Sequence, residues 1–154
     1  MFGLVNVKEA IHLWKSSNLD FWLLLTTFVA TLFLGIEYGI FAGVGMSIII
    51  LIFRTSKPYI AVLGAVPDSD FYKNCDRFND VIIEDDILVI RFDAQLFFAN
   101  SSYFRDNLDE LAKKKGEALK IIVIDAESIN RVDSTGTDVL MDRVSYYQKK
   151  GITF

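Results

Sequence analysis

The sequence predicts a fold of two parts, a membrane α-helical hairpin followed by an α/β domain with a mixed sheet and helices. The run 21–53 holds thirty-three residues and a single charge, Glu37, whereas strand and helix patterns alternate beyond Pro58. Charge divides at the same place: residues 1–57 carry four Lys/Arg and three Asp/Glu, and residues 58–154 carry twelve and seventeen. We therefore expect a nearly neutral apolar part and then an acidic, water-compatible one.

Composition excludes several classes of function. The acidic second part has no basic stripe, so we expect no nucleic acid partner. One Cys and one His give neither a disulfide framework nor spaced metal ligands, and no glycine-rich nucleotide loop is present. Asp125 and Asp133 could form a carboxylate pair, but capping explains both more simply. We expect no enzyme, no cofactor and no metal site.

Residues 1–18 are predicted to form an interfacial helix and connector. The apolar residues Val7, Ala10, Ile11 and Trp14 recur at helical spacing, with charged residues between them. His12 lies in this segment, where a lone histidine is typical of a surface position rather than of a ligand.

Residues 19–54 are predicted to form a two-helix transmembrane hairpin. One helix over 21–53 would measure roughly 50 Å, well beyond the roughly 30 Å hydrocarbon core of a bilayer. Two short crossings fit better, near 20–34 and 37–53, with the break at Gly-Ile-Glu-Tyr-Gly, residues 35–39.

The flanking charges and small residues indicate how this hairpin is placed. Four bases flank it and none lies in its turn, so both ends should be cytoplasmic. Gly43 and Ser47 lie four residues apart and are predicted to form a smooth surface for helix packing. Gly35 and Gly39 share that spacing but are assigned to the turn. Such a surface favours membership of a larger helix bundle.

Residues 55–154 alternate strand and helix patterns. The run 119–124 is continuously apolar, as in a strand buried on both faces. Residues 67–80, which include Cys75, are predicted to be a loop. The other predicted elements are a strand at 59–66, a hairpin of 81–83 with 87–92, helices at 100–115 and 134–150, and a strand starting at 152. The chain is therefore expected to stop inside this fold, as a truncated piece.

The turn Asp133-Ser134-Thr135-Gly136 follows a strand and opens a helix. Backbone N–H groups at such a helix start, together with the helix dipole, suit an anion or a phosphate. Alternatively, Asp133 caps the helix and Gly136 permits close packing. The sequence leaves both interpretations open.

The turn 133–136 and several longer segments of this chain resemble motifs of known protein families. In its context the turn 133–136 resembles the signature of STAS domains, in which a serine at the matching position accepts phosphate; here that serine is Ser134. A longer resemblance links the chain to SulP-type inorganic-anion transporters, over their last two membrane helices, linker and STAS domain. It is carried by NLDFW at 18–22, GIEYGIFAG at 35–43, KPYIAVLGAVP at 57–67, RFDAQLFFAN at 91–100 and YFR at 103–105.

The resemblance implies the carboxy-terminal part of a secondary active anion transporter, moving sulfate, a related oxyanion or bicarbonate. Expected partners are the lipid bilayer, the remaining membrane helices, the transported anion and a second copy in a homodimer. The expected place is the inner or plasma membrane, multi-pass, with the STAS domain cytoplasmic. The substrate site belongs to half-helices earlier in that family, so no substrate residue is assigned here. The alternative is a free-standing, membrane-tethered STAS switch, phosphorylated at Ser134 or binding a nucleotide at 133–136.

Overall fold

A computed structural model describes residues 18–154, and the predicted interfacial helix lies outside this range. The chain divides into two units between Arg54 and Thr55. Within the described residues, the first unit contains helix α1, Asn18–Leu34, and helix α2, Ile36–Ser56, whose last two residues extend into the second unit.

Gly35 alone separates the two helices. Its φ of +96° is a left-handed conformation that glycine adopts without the steric cost of a Cβ. The predicted five-residue break is therefore wrong in extent, because the second helix starts at Ile36. Gly39, assigned to the turn by the sequence, instead lies in α2 and is buried. One residue is enough for this turn because the left-handed conformation of Gly35 changes the direction of the chain between the two helices.

The two helices are antiparallel and meet through small residues. A Cβ on Gly39 would overlap Thr31 Oγ1, and one on Gly43 would lie 2.9 Å from Thr27 Oγ1. Both threonine hydroxyls donate to the backbone carbonyl four residues earlier in α1. Ser47, the other residue of the predicted packing surface, is exposed. The close approach of the helices is therefore built on Gly39 and Gly43.

The outer surface of the hairpin is apolar. Of the helices in the described range, α2 is the one that is long and apolar enough to cross a membrane, with twenty-one residues and a mean hydropathy of 2.1. The shorter apolar helix α1 has seventeen residues. Large side chains such as Phe33 and Phe41 are 81% and 76% exposed. Near the open end, Arg54 donates to Asp20 at 3.0 Å, which joins the end of α2 to the start of α1.

The second unit is built on a mixed four-stranded sheet with strand order β2-β1-β3-β4. Strand β1 pairs antiparallel with β2 and β3, whereas β3 and β4 are parallel. Two helices and a short 3-10 helix complete the unit. The elements are β1 Ile60–Ala65, β2 Tyr72–Asn74, β3 Ile87–Phe92, α3 Ser101–Lys115, the 3-10 helix Gly116–Ala118, β4 Ile121–Asp125 and α4 Ser134–Lys149.

The main core lies between one face of the sheet and the two helices. Phe104 and Leu108 of α3, fully buried, and Tyr147 of α4 pack with Ile90 and Ile122 of the sheet. Phe104 meets Phe92 edge to face, with ring centroids 5.3 Å apart. The helical spacing of Phe104, Leu108, Leu111 and Ala112 predicts one inward face for α3. The structure buries Phe104, Leu108 and Ala112 and leaves Leu111 half-buried against the same core.

Three details of the predicted α/β domain differ from the structure. Strand β2 lies inside the predicted loop 67–80, where a three-residue strand leaves little sequence pattern. The predicted hairpin of 81–83 with 87–92 is wrong, because Ile82 pairs with Ala65 at the end of β1. Strand β4 is covered on one face only, and Val123 is 43% exposed.

The last residues run along the outer edge of β4. Thr153 forms a parallel bridge with Ile121, and its N–H donates to the Lys120 carbonyl at 2.8 Å. The start of a strand predicted at Ile152 therefore pairs as expected.

Candidate functional site

The turn before α4 lies against the segment that follows β3. Leu96 and Val132 form a parallel bridge, and the Leu96 N–H donates to the Arg131 carbonyl at 3.0 Å. The Asp133 N–H in turn donates to the Leu96 carbonyl at 3.2 Å. The position of residues 133–136 is thus fixed by backbone bonds to the loop at Leu96.

The side chain of Asp133 caps α4. Its Oδ1 accepts from the Gly136 N–H at 2.8 Å, and its Oδ2 accepts from the Phe98 N–H at 3.0 Å. Both oxygens therefore satisfy backbone donors, and one of these donors is at the helix start where an anion would bind. Helix capping and the bond to Phe98 therefore account for both oxygens of the Asp133 carboxylate.

Gly136 is buried where α4 meets the Leu96 loop. A Cβ at this position would lie 2.8 Å from the Leu96 carbonyl oxygen and 3.0 Å from Leu96 Cγ. A larger residue would have to displace backbone, so the glycine permits the close packing that the sequence suggested as one interpretation.

Ser134 and Thr135 are exposed in the first turn of α4. The Ser134 hydroxyl is therefore accessible to solvent, and the positive end of the helix dipole favours negative charge there. The neighbouring Asp133 carboxylate opposes it. The site therefore offers two accessible hydroxyls, those of Ser134 and Thr135, in a first turn whose Gly136 N–H is already bonded.

Asn100 is a residue of this region whose role the sequence did not reveal. It precedes α3 and is fully buried, but its side chain does not cap that helix. Instead its Oδ1 accepts from the Phe97 N–H, and its Nδ2 donates to the Gln95 carbonyl, both at 3.0 Å. It thereby fixes the loop that carries Leu96 and Phe98. An Asn that precedes a helix is typical of an N-cap. No sequence signal therefore distinguished its role in fixing the loop from helix capping.

The carboxylate of Asp125 has a local partner of its own. Asp125 Oδ1 accepts from the Glu127 N–H at 3.1 Å, which forms a turn after β4. Over residues 18–154 we find no group of three or more His, Cys, Asp or Glu side chains that could hold a metal ion.

Replacing Asp133 with Ala should destabilise the second unit by about 0.5–2 kcal/mol, because α4 loses its cap. Asp138, exposed on the same helix, serves as the matched control, and Asp138→Ala should change the free energy of unfolding by less than about 0.5 kcal/mol. Hydrogen exchange of the α4 amides measures both. Equal effects of the two substitutions would contradict the capping role.

Arg91 and Asp93 form a bidentate ion pair at the end of β3, with distances of 2.6 and 3.2 Å. The hydrogen bond from Arg91 lowers the pKa of Asp93. The pair therefore stabilises the fold above the ordinary Asp pKa of about 3.9, and this contribution is lost as pH falls through the lowered value.

In Arg91→Gln the pKa of Asp93 should rise toward its ordinary value, so that acid destabilisation begins at a higher pH. Titration of the Asp93 carboxyl carbon by NMR measures this directly. An unchanged Asp93 titration curve in the variant would show that Arg91 is not the cause.

Known proteins resemble this chain over both of its units. Residues 79–154 match the STAS domain model. The chain is 34% identical to the probable sulfate transporter 4.2 of Arabidopsis thaliana over 97% of its own length and 24% of that protein. It is 32% identical to sulfate transporter 3.2 of the same plant, over 91% of its own length and 23% of that protein. The chain thus spans about a quarter of the length of the curated relatives it matches.

A solved structure agrees with these relatives. The murine Solute Carrier 26 family member A9 anion transporter, in its inward-facing state, superimposes with a TM-score of 0.83 at 28% identity. The match covers 97% of this chain and 24% of the transporter. Residues 79–154 of this chain are therefore a STAS domain, and its homologues are sulfate transporters of the SulP/SLC26 family.

Proposed function

We propose that this chain is the carboxy-terminal region of a secondary active anion transporter that moves sulfate, a related small oxyanion or bicarbonate, by exchange or with a cation. The observation that carries the proposal is the match to sulfate transporters over 97% of the chain, helix pair and STAS domain together. The match covers 24% of such a relative. The resemblance to SulP-type transporters implies that the substrate site is formed by half-helices earlier in the protein.

The helix pair is proposed to cross the membrane twice within a larger bundle, as part of the scaffold against which the substrate-carrying helices move. Its outer surface supports this placement, since exposed residues such as Phe33, Phe41 and Leu51 would be costly to hydrate. Gly39 and Gly43 let the two helices pack closely where lipid supplies no hydrophobic driving force.

The STAS domain is proposed to lie in the cytoplasm, to regulate transport and to contribute to a homodimer. The bases that flank the helix pair support the cytoplasmic side. Single cysteines at Glu37 and Lys73, in a Cys75→Ser background, test this topology. We expect a membrane-impermeant thiol reagent to label residue 37 from outside the cell and residue 73 only after permeabilisation. Labelling of residue 37 from the cytoplasmic side alone would overturn it.

The reading frame around this chain tests the transporter proposal at the level of the gene. We expect several hundred upstream codons, in frame, that encode further membrane spans, and some tens of downstream codons that complete the STAS domain. A stop codon and promoter directly before Met1 would contradict the proposal.

A second candidate function is a membrane-tethered STAS switch controlled by a phosphate or a nucleotide at residues 133–136. The exposure of Ser134 in the first turn of α4 favours it. Phosphate labelling of the whole protein, compared with Ser134→Ala and with Thr135→Ala as the matched hydroxyl control, tests it. Loss of label in Ser134→Ala alone is the expected result, and unchanged label in that variant would remove the idea.

A further inference from the structure

The sheet of the second unit has a second face that neither α3 nor α4 covers. Pairing places Leu63 opposite Val89 and Val89 opposite Val123, so these three side chains share one face. Ile90 and Ile122 point to the other face, where the helices pack. Tyr72 and Ile82 both pair with Ala65, two residues from Leu63, and extend the same row. We call this surface, formed by Leu63, Tyr72, Ile82, Val89 and Val123, the open face.

The open face is apolar. Its centre, Leu63 and Val89, is buried at 4% and 8% exposure, whereas the side chains around this centre are accessible to solvent. Tyr72, Ile82 and Val123 are 52%, 53% and 43% exposed, and the adjacent Phe71 is 75% exposed. A groove of about 380 Å³ lies over Leu63, Val89 and Val123. Exposed apolar surface of this kind on a soluble domain marks an interaction site.

The rim of the groove is acidic. Asp70, Asp125 and Glu127 line it together with one base, Arg91. Arg91 is held by both carboxylate oxygens of Asp93, so that pair adds no net charge. Three carboxylates therefore surround an apolar floor, and a partner that fits must bring positive charge beside apolar side chains.

We propose that the open face binds an amphipathic segment of another polypeptide, with apolar residues that enter the groove and Lys or Arg residues that meet its rim. A second copy docking through the same face would place like-charged rims against each other, because a twofold interface brings identical patches together. An anionic lipid surface is opposed by the same carboxylates. A basic amphipathic segment satisfies both the floor and the rim.

The test uses the whole protein in nanodiscs of zwitterionic lipid, with empty discs as background. The probe is a labelled amphipathic helix of leucine and lysine, roughly four turns long, and the control peptide has glutamate at each lysine position. Binding is measured by fluorescence anisotropy at low and high salt.

We expect saturable binding of the lysine peptide that Val123→Arg weakens at least about tenfold, since the arginine enters the groove floor and repels the peptide. Glu127→Lys, on the rim, should weaken binding and reduce its salt dependence. Met141→Arg on α4, at a position 64% exposed, is the matched control and should bind like the native protein.

Three results would overturn the proposal. They are equal binding of the glutamate peptide, affinity unchanged in both Val123→Arg and Glu127→Lys, and self-association that Val123→Arg abolishes. The last would identify a second copy as the occupant. Because Glu127 is exposed and its substitution leaves the sheet intact, the proposal stays testable even if Val123→Arg fails to fold.

Discussion

Phe104→Ala should destabilise the STAS domain by about 3–5 kcal/mol, as expected for truncation of a fully buried aromatic ring. Phe104 is 0% exposed and lies edge to face against Phe92, between α3 and the sheet. Its removal leaves a cavity at the centre of the core and ends the aromatic contact with β3. Hydrogen exchange of the β3 amides should become faster by about two to four orders of magnitude, since each 1.4 kcal/mol is tenfold.

Phe98→Ala is the matched control for this substitution. Phe98 belongs to the same segment of chain and is 71% exposed, with a single ring contact, to Phe97. Its truncation should cost about 1 kcal/mol or less. Equal acceleration of exchange in the two variants would contradict the placement of the core between α3 and the sheet.

Gly39→Leu should force helices α1 and α2 apart. A Cβ at Gly39 already overlaps Thr31 Oγ1 and comes within 3.0 Å of Thr31 Cα, so rotation of the threonine side chain cannot relieve the clash. Overpacking of this kind costs about 1–3 kcal/mol, and a whole leucine side chain should reach the upper end of that range. Spin labels at Leu19 and Phe53, exposed positions that leave the Asp20–Arg54 ion pair intact, should show a longer and broader distance distribution by pulsed EPR.

Gly45→Leu provides the matched control in the same helix. Nothing lies within 4 Å of a Cβ at Gly45, and leucine is a better helix former than glycine. The distance distribution should therefore remain that of the native hairpin. A change of similar size in both variants would show that α1 does not pack at Gly39.

The sequence predicts the elements with strong periodic patterns. The stripe of Phe104, Leu108 and Ala112 specifies both the extent and the buried side of α3, because three turns of consistent spacing leave one possible face. The thirty-three-residue apolar run similarly requires a break, and a glycine at 35 can supply it.

The sequence predictions are wrong at positions whose role depends on contacts with residues distant in the sequence. Glycine is a common turn residue, so the sequence alone assigned Gly39 to the turn. The short distance between Gly39 and Thr31 of the neighbouring helix shows that Gly39 is a packing position. Ile82 has a strand pattern like that of β3, but its partner is Ala65, seventeen residues earlier, and no local signal encodes this choice. Val123 lies in a continuous apolar run, yet both helices pack on the other face of its sheet. At the candidate site, the sequence predicted the turn at 133–136. It did not predict the role of Asn100, because that role depends on hydrogen bonds between the Asn100 side chain and the backbone of the preceding loop.

Transport by the complete protein tests the central claim most directly. The full reading frame that contains this chain would be reconstituted in liposomes, and uptake of radiolabelled sulfate would be followed against an imposed ion or anion gradient. We expect uptake well above that of empty liposomes, reduced in Phe104→Ala and retained in Phe98→Ala. A folded, membrane-inserted protein that moves neither sulfate nor bicarbonate under any such gradient would contradict it.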